Sequence, residues 1–294
     1  MKIKSNIGRN IIIIFFIFLI GTFIFYKYIN RVKNIPLQAS NQELSVSQET
    51  ENKSNEQNIE NILLLGVDKE ENVTDTIMIL SLDKNNNTAK LTSIMRDTYV
   101  DNGYDKINKI NYSYYYYGVE GIISKINSLF NLDIKKYALI NFEGLQNVVD
   151  YLGGVIVNIT DIESEICGAT KSGDVLLNGN QALSFTRIRS IDSDFNRTSR
   201  QRKVMLSILN RCRNISLSNL PNVIRDLSSN VQTNLSTYEM ISISKYLLTL
   251  DINNLEEFRI PIDGTTQNKD VGIYYLYWDK AVNTESLHEF IYRN

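Results

Sequence analysis

Residues 61–67, NILLLGV, form a continuous apolar run, the pattern of a strand covered on both faces. Residues 75–83 (DTIMILSLD) and 88–95 (TAKLTSIM) predict two further strands, joined by the turn-forming KNNN at 84–87 into a hairpin. Apolar residues then recur at helical spacing over 118–132. A short strand follows at 137–142, then a helix over 143–152 that stops at Gly153-Gly154, and a strand at 155–159. The pattern next predicts helices near 180–187, opened by the Asn178-Gly179 turn, and over about 196–212, 220–227 and 238–250. Strands at 257–262 and 273–278 and a closing helix complete it. Strands alternating with helices imply an α/β fold: a single layered domain, 59–294, with a central mixed β-sheet flanked by helices.

The N-terminus follows another rule. Residues 11–26, IIIIFFIFLIGTFIFY, are apolar apart from Gly21 and Thr22, and extension through Tyr28 and Ile29 brings the run near the ~20 residues a bilayer core requires. No small-x-small cleavage site follows it; Lys27, Arg31 and Lys33 do. The expectation is one uncleaved transmembrane anchor at 11–29 after a short cytoplasmic segment, 1–10, with charge leaning slightly toward the N-terminus inside. Residues 30–58 are polar and acidic, nearly free of large apolar side chains, and are expected to form a flexible stalk.

With 31 basic and 33 acidic residues in 294, the formal net charge is −2, so any affinity for anions must arise from local clustering. One cluster is conspicuous. FTRIRSIDSDFNRTSRQ, 185–201, opens a stretch to Arg213 in which eight basic side chains meet only Asp192 and Asp194, an excess of six. The single histidine, His288, falls in a terminal helix read as surface, which leaves a His-based metal site or a Ser-His relay almost nothing to work with. Neither Cys167 nor Cys212 carries a nucleophile signature, and the two thiols either pair or stay free.

Carboxylates and arginines remain. Asp68 follows the buried strand and Asp75 opens the next, so in neighbouring strands both reach one sheet edge. Such a pair suits Mg²⁺, which takes one or two carboxylates and fills its shell with water and phosphate. The alternative is a pair of turn and strand-end aspartates. Arg96 and Asp97 end the third strand, and Lys106 follows a loop. Arg187 and Arg189 point the same way in extended chain, while Arg197, Arg200 and Gln201 share one face of a helix's first turn. The helix dipole disfavours cations there, and a bound anion would explain them; the competing reading is a solvated basic face neutralised by Asp192 and Asp194. Asp194 itself orients arginines, assists a hydroxyl nucleophile or caps the helix. YSYYYY, 112–117, either packs on a sheet or lines a groove that stacks on sugars.

The blocks NILLLGVD, TDTIMILSL, SIMRDTYV, DKINKINYSY, GLQNVVDYLGGV, LLNGNQALSFTRIR and DFNRTSRQ occur in this order over about 61–213. In them the chain resembles the LytR-CpsA-Psr family of membrane-anchored phosphotransferases. The resemblance implies a single-pass protein of the cell membrane, its catalytic domain on the extracellular face of a Gram-positive bacterium. It implies transfer of a glycopolymer (teichoic acid, capsule or another secondary wall polymer) from an undecaprenyl-pyrophosphate carrier to a peptidoglycan sugar hydroxyl through a phosphodiester, with a pyrophosphatase side activity. The family's Mg²⁺ positions, open to Mn²⁺ as well, fall on Asp68 and Asp75. Its pyrophosphate positions fall on Arg96, Lys106, Arg187, Arg189, Arg197 and Gln201, with Arg200 beside them, and its catalytic acid falls on Asp194, next to the catalytic Arg96, Arg187 and Arg197. Three positions depart from the family pattern: Val73 and Lys69 where an arginine is usual near each aspartate, and Met95 in place of a proline. Rival readings are a membrane-tethered transcriptional regulator and a non-catalytic lipid-glycan carrier. With no helix-turn-helix, no aromatic-interleaved basic platform and no overall positive charge, nucleic acid is not expected as a partner.

Overall fold

The computed structural model describes residues 33–216, 218–250, 255–270 and 272–293. At its centre the 61–67 run lies in β2 (Ile59–Asp68). Toward one edge β2 pairs antiparallel with β3 (Val73–Asp83), which forms the expected hairpin with β4 (Thr88–Ile94), and β4 runs parallel to β9 (Glu256–Ile260). Toward the other edge β2 is parallel to β5 (Lys136–Asn141), followed by antiparallel β8 (Val231–Thr233) and a parallel two-residue strand, β1 (Lys33–Asn34). The sheet is therefore mixed and seven-stranded.

Period-2 geometry divides the apolar run between two cores. Leu63 and Leu65 of β2, with Ile77 and Ile79 of β3, face a core closed by α2 (Ile110–Phe130) and α9 (Lys280–Tyr292). Ile62 of β2, with Met78, Leu80 and Leu82 of β3, faces the opposite way, toward α6 (Asp194–Cys212) and α8 (Thr237–Thr249). Because both faces are covered, a continuous apolar run rather than an alternating one is required.

A third core lies under a separate antiparallel ribbon, β6 (Val155–Ile159) with β7 (Gly173–Leu177). Around it stand α3 (Phe142–Tyr151), α4 (Asp161–Cys167), α5 (Gly179–Thr186) and α6. Gly179 permits this assembly: a Cβ there would sit 2.4 Å from the Gln146 carbonyl oxygen, and its amide donates to Asp150 Oδ1 at 2.7 Å. Elsewhere stand α7 (Leu220–Leu227) and the hairpin β10 (Thr266–Asp270) with β11 (Tyr274–Trp278), whose Leu276 bridges Thr98 just past β4.

Several expectations need correction. The stalk over 30–58 is not free where it is described. Lys33–Asn34 joins the sheet, Leu44 is buried in the first core with Val46 packed against it, and α1 (Gln48–Gln57) is capped by Ser47. Few apolar residues suffice because buried polar ones find partners: Thr50 Oγ1 donates to Asn131 Oδ1 at 3.0 Å, and Ser54 Oγ lies 3.1 Å from the Tyr292 hydroxyl. The tyrosine run does not precede the helix, and its Tyr114 packs against the first core on the sheet. It forms the first turns of α2, with Gly118 (φ 67°) as a break inside it. The 155–159 strand leaves the main sheet for the ribbon, where Ile156 and Leu176 are exposed. His288 is half-buried, its Nε2 2.7 Å from the Phe130 carbonyl oxygen. Both cysteines are free thiols. Among the described residues no helix is long and apolar enough to cross a membrane; the 11–29 segment lies outside them.

Candidate active site

Asp75 owes its position to an irregularity. Gly66 pairs with Thr76 and Val67 with Thr74, which leaves Asp75 as the extra residue of a β-bulge. Bulges re-aim side chains at sheet ends, and this one turns a carboxylate toward the start of α6. Arg96, just past β4, donates to Asp75 Oδ1, and Arg189 Nη2 lies 3.4 Å from Oδ2. Gln201 Nε2 donates to the Asp75 carbonyl at 3.4 Å. Arg96 also lies 3.5 Å from Asp97 Oδ2, whose other oxygen accepts from Lys109 Nζ at 2.7 Å.

The arginines come from one short connection. Helix α5 ends at Thr186, so Arg187 and Arg189 stand on the loop before α6 and Arg197 in its first turn. Arg187 lies with its guanidinium carbon 4.5 Å from the centre of the Phe142 ring, a cation–π contact that flattens it against the start of α3. Arg197 is 2% exposed within the wall. Asp75, Arg187, Arg189, Arg197 and Gln201 all line a single cavity of about 270 Å³. Most of the rest of its wall is apolar, with Leu64, Met78 and Ile140 from the sheet, Leu145 from α3, and Val204 and Ile208 from α6. A second apolar cavity, about 240 Å³, lies between α7 and α8 and shares Leu227 and Val231 with the first.

Not every candidate converges here. Arg200, expected beside the pyrophosphate arginines, does not: it is 2% exposed and points into the protein, with Nε donating to Glu163 Oε1 at 2.7 Å, Nη1 to the Ile188 carbonyl at 3.0 Å and Nη2 to Asp192. Burial alone would raise the Glu163 carboxyl, but the Thr160 backbone amide and the Arg200 guanidinium outweigh it and hold it below the ordinary range. Arg200 thereby fixes the loop that carries Arg187 and Arg189. Lys106 donates to the Tyr117 hydroxyl at 2.7 Å and does not line the cavity. Asp194 opens α6 in the backbone, while its side chain lies outside the described residues.

Asp68 Oδ1 accepts from the Glu70 and Glu71 amides at 2.8 and 3.4 Å, a turn-aspartate geometry, and lines a smaller hollow with Arg187. Arg187 therefore lines both the hollow with Asp68 and the cavity with Asp75. Among the described residues no three His, Cys, Asp or Glu gather as a metal cage. Two carboxylates still fit the chemistry of Mg²⁺, which keeps water and phosphate in its shell, with Arg96 and Arg189 as competitors for Asp75.

Sequence reasoning missed Phe142 and Glu163. An aromatic residue where β5 passes into α3 was the signal for the first. The Thr160-x-x-Glu163 capping box was visible, but it gave no sign that the glutamate also holds an arginine 37 positions on.

The family model described as LytR_cpsA_psr family matches residues 24–290. A relative in Bacillus mycoides, the polyisoprenyl-teichoic acid–peptidoglycan teichoic acid transferase TagU, is 36% identical over 223 residues, 73% of each chain. Among solved structures, Bacillus subtilis TagV superposes with a TM-score of 0.67 at 24% identity, covering 79% of this chain and 97% of that one. The LytR-CPS2A-psr family protein YwtF (TagT) with bound octaprenyl pyrophosphate lipid does so at 0.64 and 20%, covering 79% and 90%.

Proposed function

Because this chain belongs to the LytR-CpsA-Psr family, we propose that it transfers a wall glycopolymer from an undecaprenyl-pyrophosphate carrier to a sugar hydroxyl of peptidoglycan, at the external face of the cell membrane. One observation carries this reading: an apolar cavity ends in a carboxylate ringed by guanidiniums. Such a site matches an amphiphile whose apolar tail meets a diphosphate. Arg96, Arg187, Arg189 and Arg197 against Asp75 leave three formal positive charges, enough for the two of a diphosphate diester. The names of the TagU relative and of the lipid-bound TagT neighbour point to the same donor chemistry.

Phosphoryl transfer needs positioning and charge neutralisation more than a covalent protein nucleophile, which suits a site with no histidine. In the proposed reaction the acceptor hydroxyl attacks the phosphorus that carries the glycan. A P–O bond forms to the acceptor oxygen, the bridging P–O bond breaks, and polyprenyl monophosphate leaves with its electron pair. The hydroxyl proton passes to a carboxylate, the role assigned to Asp194. Arg187 and Arg197 hold the phosphoryl oxygens in the wall of the cavity, and Arg96 and Arg189 hold Asp75 in place. Asp75 and Asp68 are the residues that would hold Mg²⁺, which would supply further neutralisation of phosphate charge.

The test is transfer from a polyprenyl-pyrophosphate-linked oligosaccharide to soluble peptidoglycan by the purified full chain. Loss of Arg187 or Asp75 to alanine should lower kcat/KM at least ~100-fold. Wild-type rates in both variants would remove the site from the reaction. Retained donor binding with no transfer in the wild type would favour a non-catalytic carrier. Protease shaving of whole cells tests the location, since a domain that stays protected would contradict the external face.

A further inference from the structure

The tyrosines of 112–117 take no part in that chemistry, yet their rings are set out in order along α2. Tyr112, Tyr115 and Tyr116 share one face at i, i+3 and i+4, with the Tyr112 ring 5.8 Å from that of Tyr115 and 6.0 Å from that of Tyr116. Tyr115 meets Tyr116 edge to face at 5.1 Å and 87°, which makes a step of one ring lying against another standing. The hydroxyls farther along brace the neighbouring loop: Tyr116 accepts from the Ile107 amide at 3.0 Å, and Tyr117 donates to the Asn102 carbonyl at 2.7 Å. Lys106 lies over the rings of both. Tyr115 is left 50% exposed, and Tyr104, at the loop's tip, 94%.

The inner end of this row abuts the candidate active site. The Asn111 amide donates to the Arg96 carbonyl at 3.3 Å, so Tyr112 directly follows a residue tied to the backbone of the arginine that holds Asp75. An exposed ring, Tyr115, set in order against the half-buried rings of Tyr112 and Tyr116 beside a reaction site calls for a ligand with flat apolar faces and polar edges. A pyranose is such a ligand: its C–H face packs on an aromatic ring while its hydroxyls reach donors such as Lys106.

We propose that the row Tyr112–Tyr115–Tyr116, with Lys106 at its edge, is the saccharide platform that receives the acceptor glycan and leads its hydroxyl toward the Asp75–Arg96 pair. The proposal rests on the transferase reading above. A bilayer surface is the other ligand that tyrosines suit. Here Asp101, Asp105 and Glu120 are interleaved with Lys106, Lys109 and Lys125, without the basic excess that anionic lipid attracts, and no leucine, phenylalanine or tryptophan stands among the rings.

Initial rates of the full chain in detergent, with donor saturating and soluble peptidoglycan oligomer varied, test this directly. Tyr115→Ala should raise the acceptor KM about tenfold, the loss of one aromatic contact, with kcat and the donor KM within about twofold. Tyr115→Trp should retain the wild-type KM, and Tyr238→Ala, an exposed tyrosine on α8, should change nothing. Direct binding separates this inference from the transferase reading. Fluorescence of the Tyr115→Trp protein, corrected for Trp278, should shift on adding the oligomer even where no transfer occurs; that outcome supports the platform and counts against the reaction. An unchanged acceptor KM in Tyr115→Ala with no fluorescence response overturns the platform. Quenching of the Tyr115→Trp signal by brominated lipid in vesicles would mark a bilayer contact and overturn it as well.

Discussion

Replacing Arg200 with methionine distinguishes an internal strut from an anion-binding arginine. Arg200 makes three contacts inside the protein, and one partner, Glu163, is itself 7% exposed. Methionine fills much of the volume but leaves the carboxylate buried without its cation, a loss of ~3–5 kcal/mol. For a chain of this size each 1 kcal/mol moves Tm by ~2–4 °C, so the midpoint should fall by about 6–20 °C in a thermal scan at pH 7. The pH dependence carries a sign. The Glu163 carboxyl is held below its ordinary value near 4.5, so the stability it contributes is complete above that value and is lost as pH falls through the lowered one. In Arg200→Met burial no longer meets the guanidinium and raises this carboxyl, so the gap between wild type and variant should begin to narrow above pH 4.5 on acidification and close as pH falls through the lowered wild-type value. A variant with wild-type Tm and weakened diphosphate binding would place this guanidinium in the cavity and refute the reasoning.

Three further outcomes are expected. Gly179→Ala should lower stability by ~1–3 kcal/mol in a denaturant titration, because the added methyl group meets the Gln146 carbonyl across the α3–α5 contact. Burial pushes the Cys212 thiol up to about 11, so iodoacetamide at pH 8, followed by mass spectrometry, should modify it about two orders of magnitude more slowly than a free thiol, faster as pH rises. Lys136 bridges Glu60 and Glu239 at 2.5 and 2.8 Å; burial alone would raise the Glu239 carboxyl, but Lys136 and the Ser236 cap hold it at about 2. This pair is partly exposed, so Glu239→Gln should cost ~1 kcal/mol or less at pH 7, and the difference should disappear as pH falls from 4.5 toward 2 and shrink in high salt.

Local pattern carried much of the fold. The uninterrupted run at 61–67 announced a strand with both faces covered, KNNN announced its hairpin, and Gly153-Gly154 closed a helix where expected. What escaped depended on partners distant in sequence. Residues 33–58 are too polar to fold alone, and they order because Asn131, Tyr292 and the first core receive them. Strand β8 is three residues long and exists because β5 offers an edge. Within the site, spacing put Arg197, Arg200 and Gln201 on one face, but 3.6-residue geometry could not distinguish a cavity from the core beside it. Glu163, far upstream, drew Arg200 inward. The bulge that aims Asp75 was equally invisible, since it is a property of the register between two strands.

The pairing of Lys33–Asn34 with the sheet edge bears on how far the domain can travel. A loose leash of 25 residues would let it sweep up to ~85 Å from its point of attachment. Fastened at residue 33, the domain keeps almost none of that radius. With the anchor expected at 11–29, the sheet edge at residue 33 would stay close to the lipid headgroups, and the proposed carrier and acceptor would have to come to the domain rather than be sought by it.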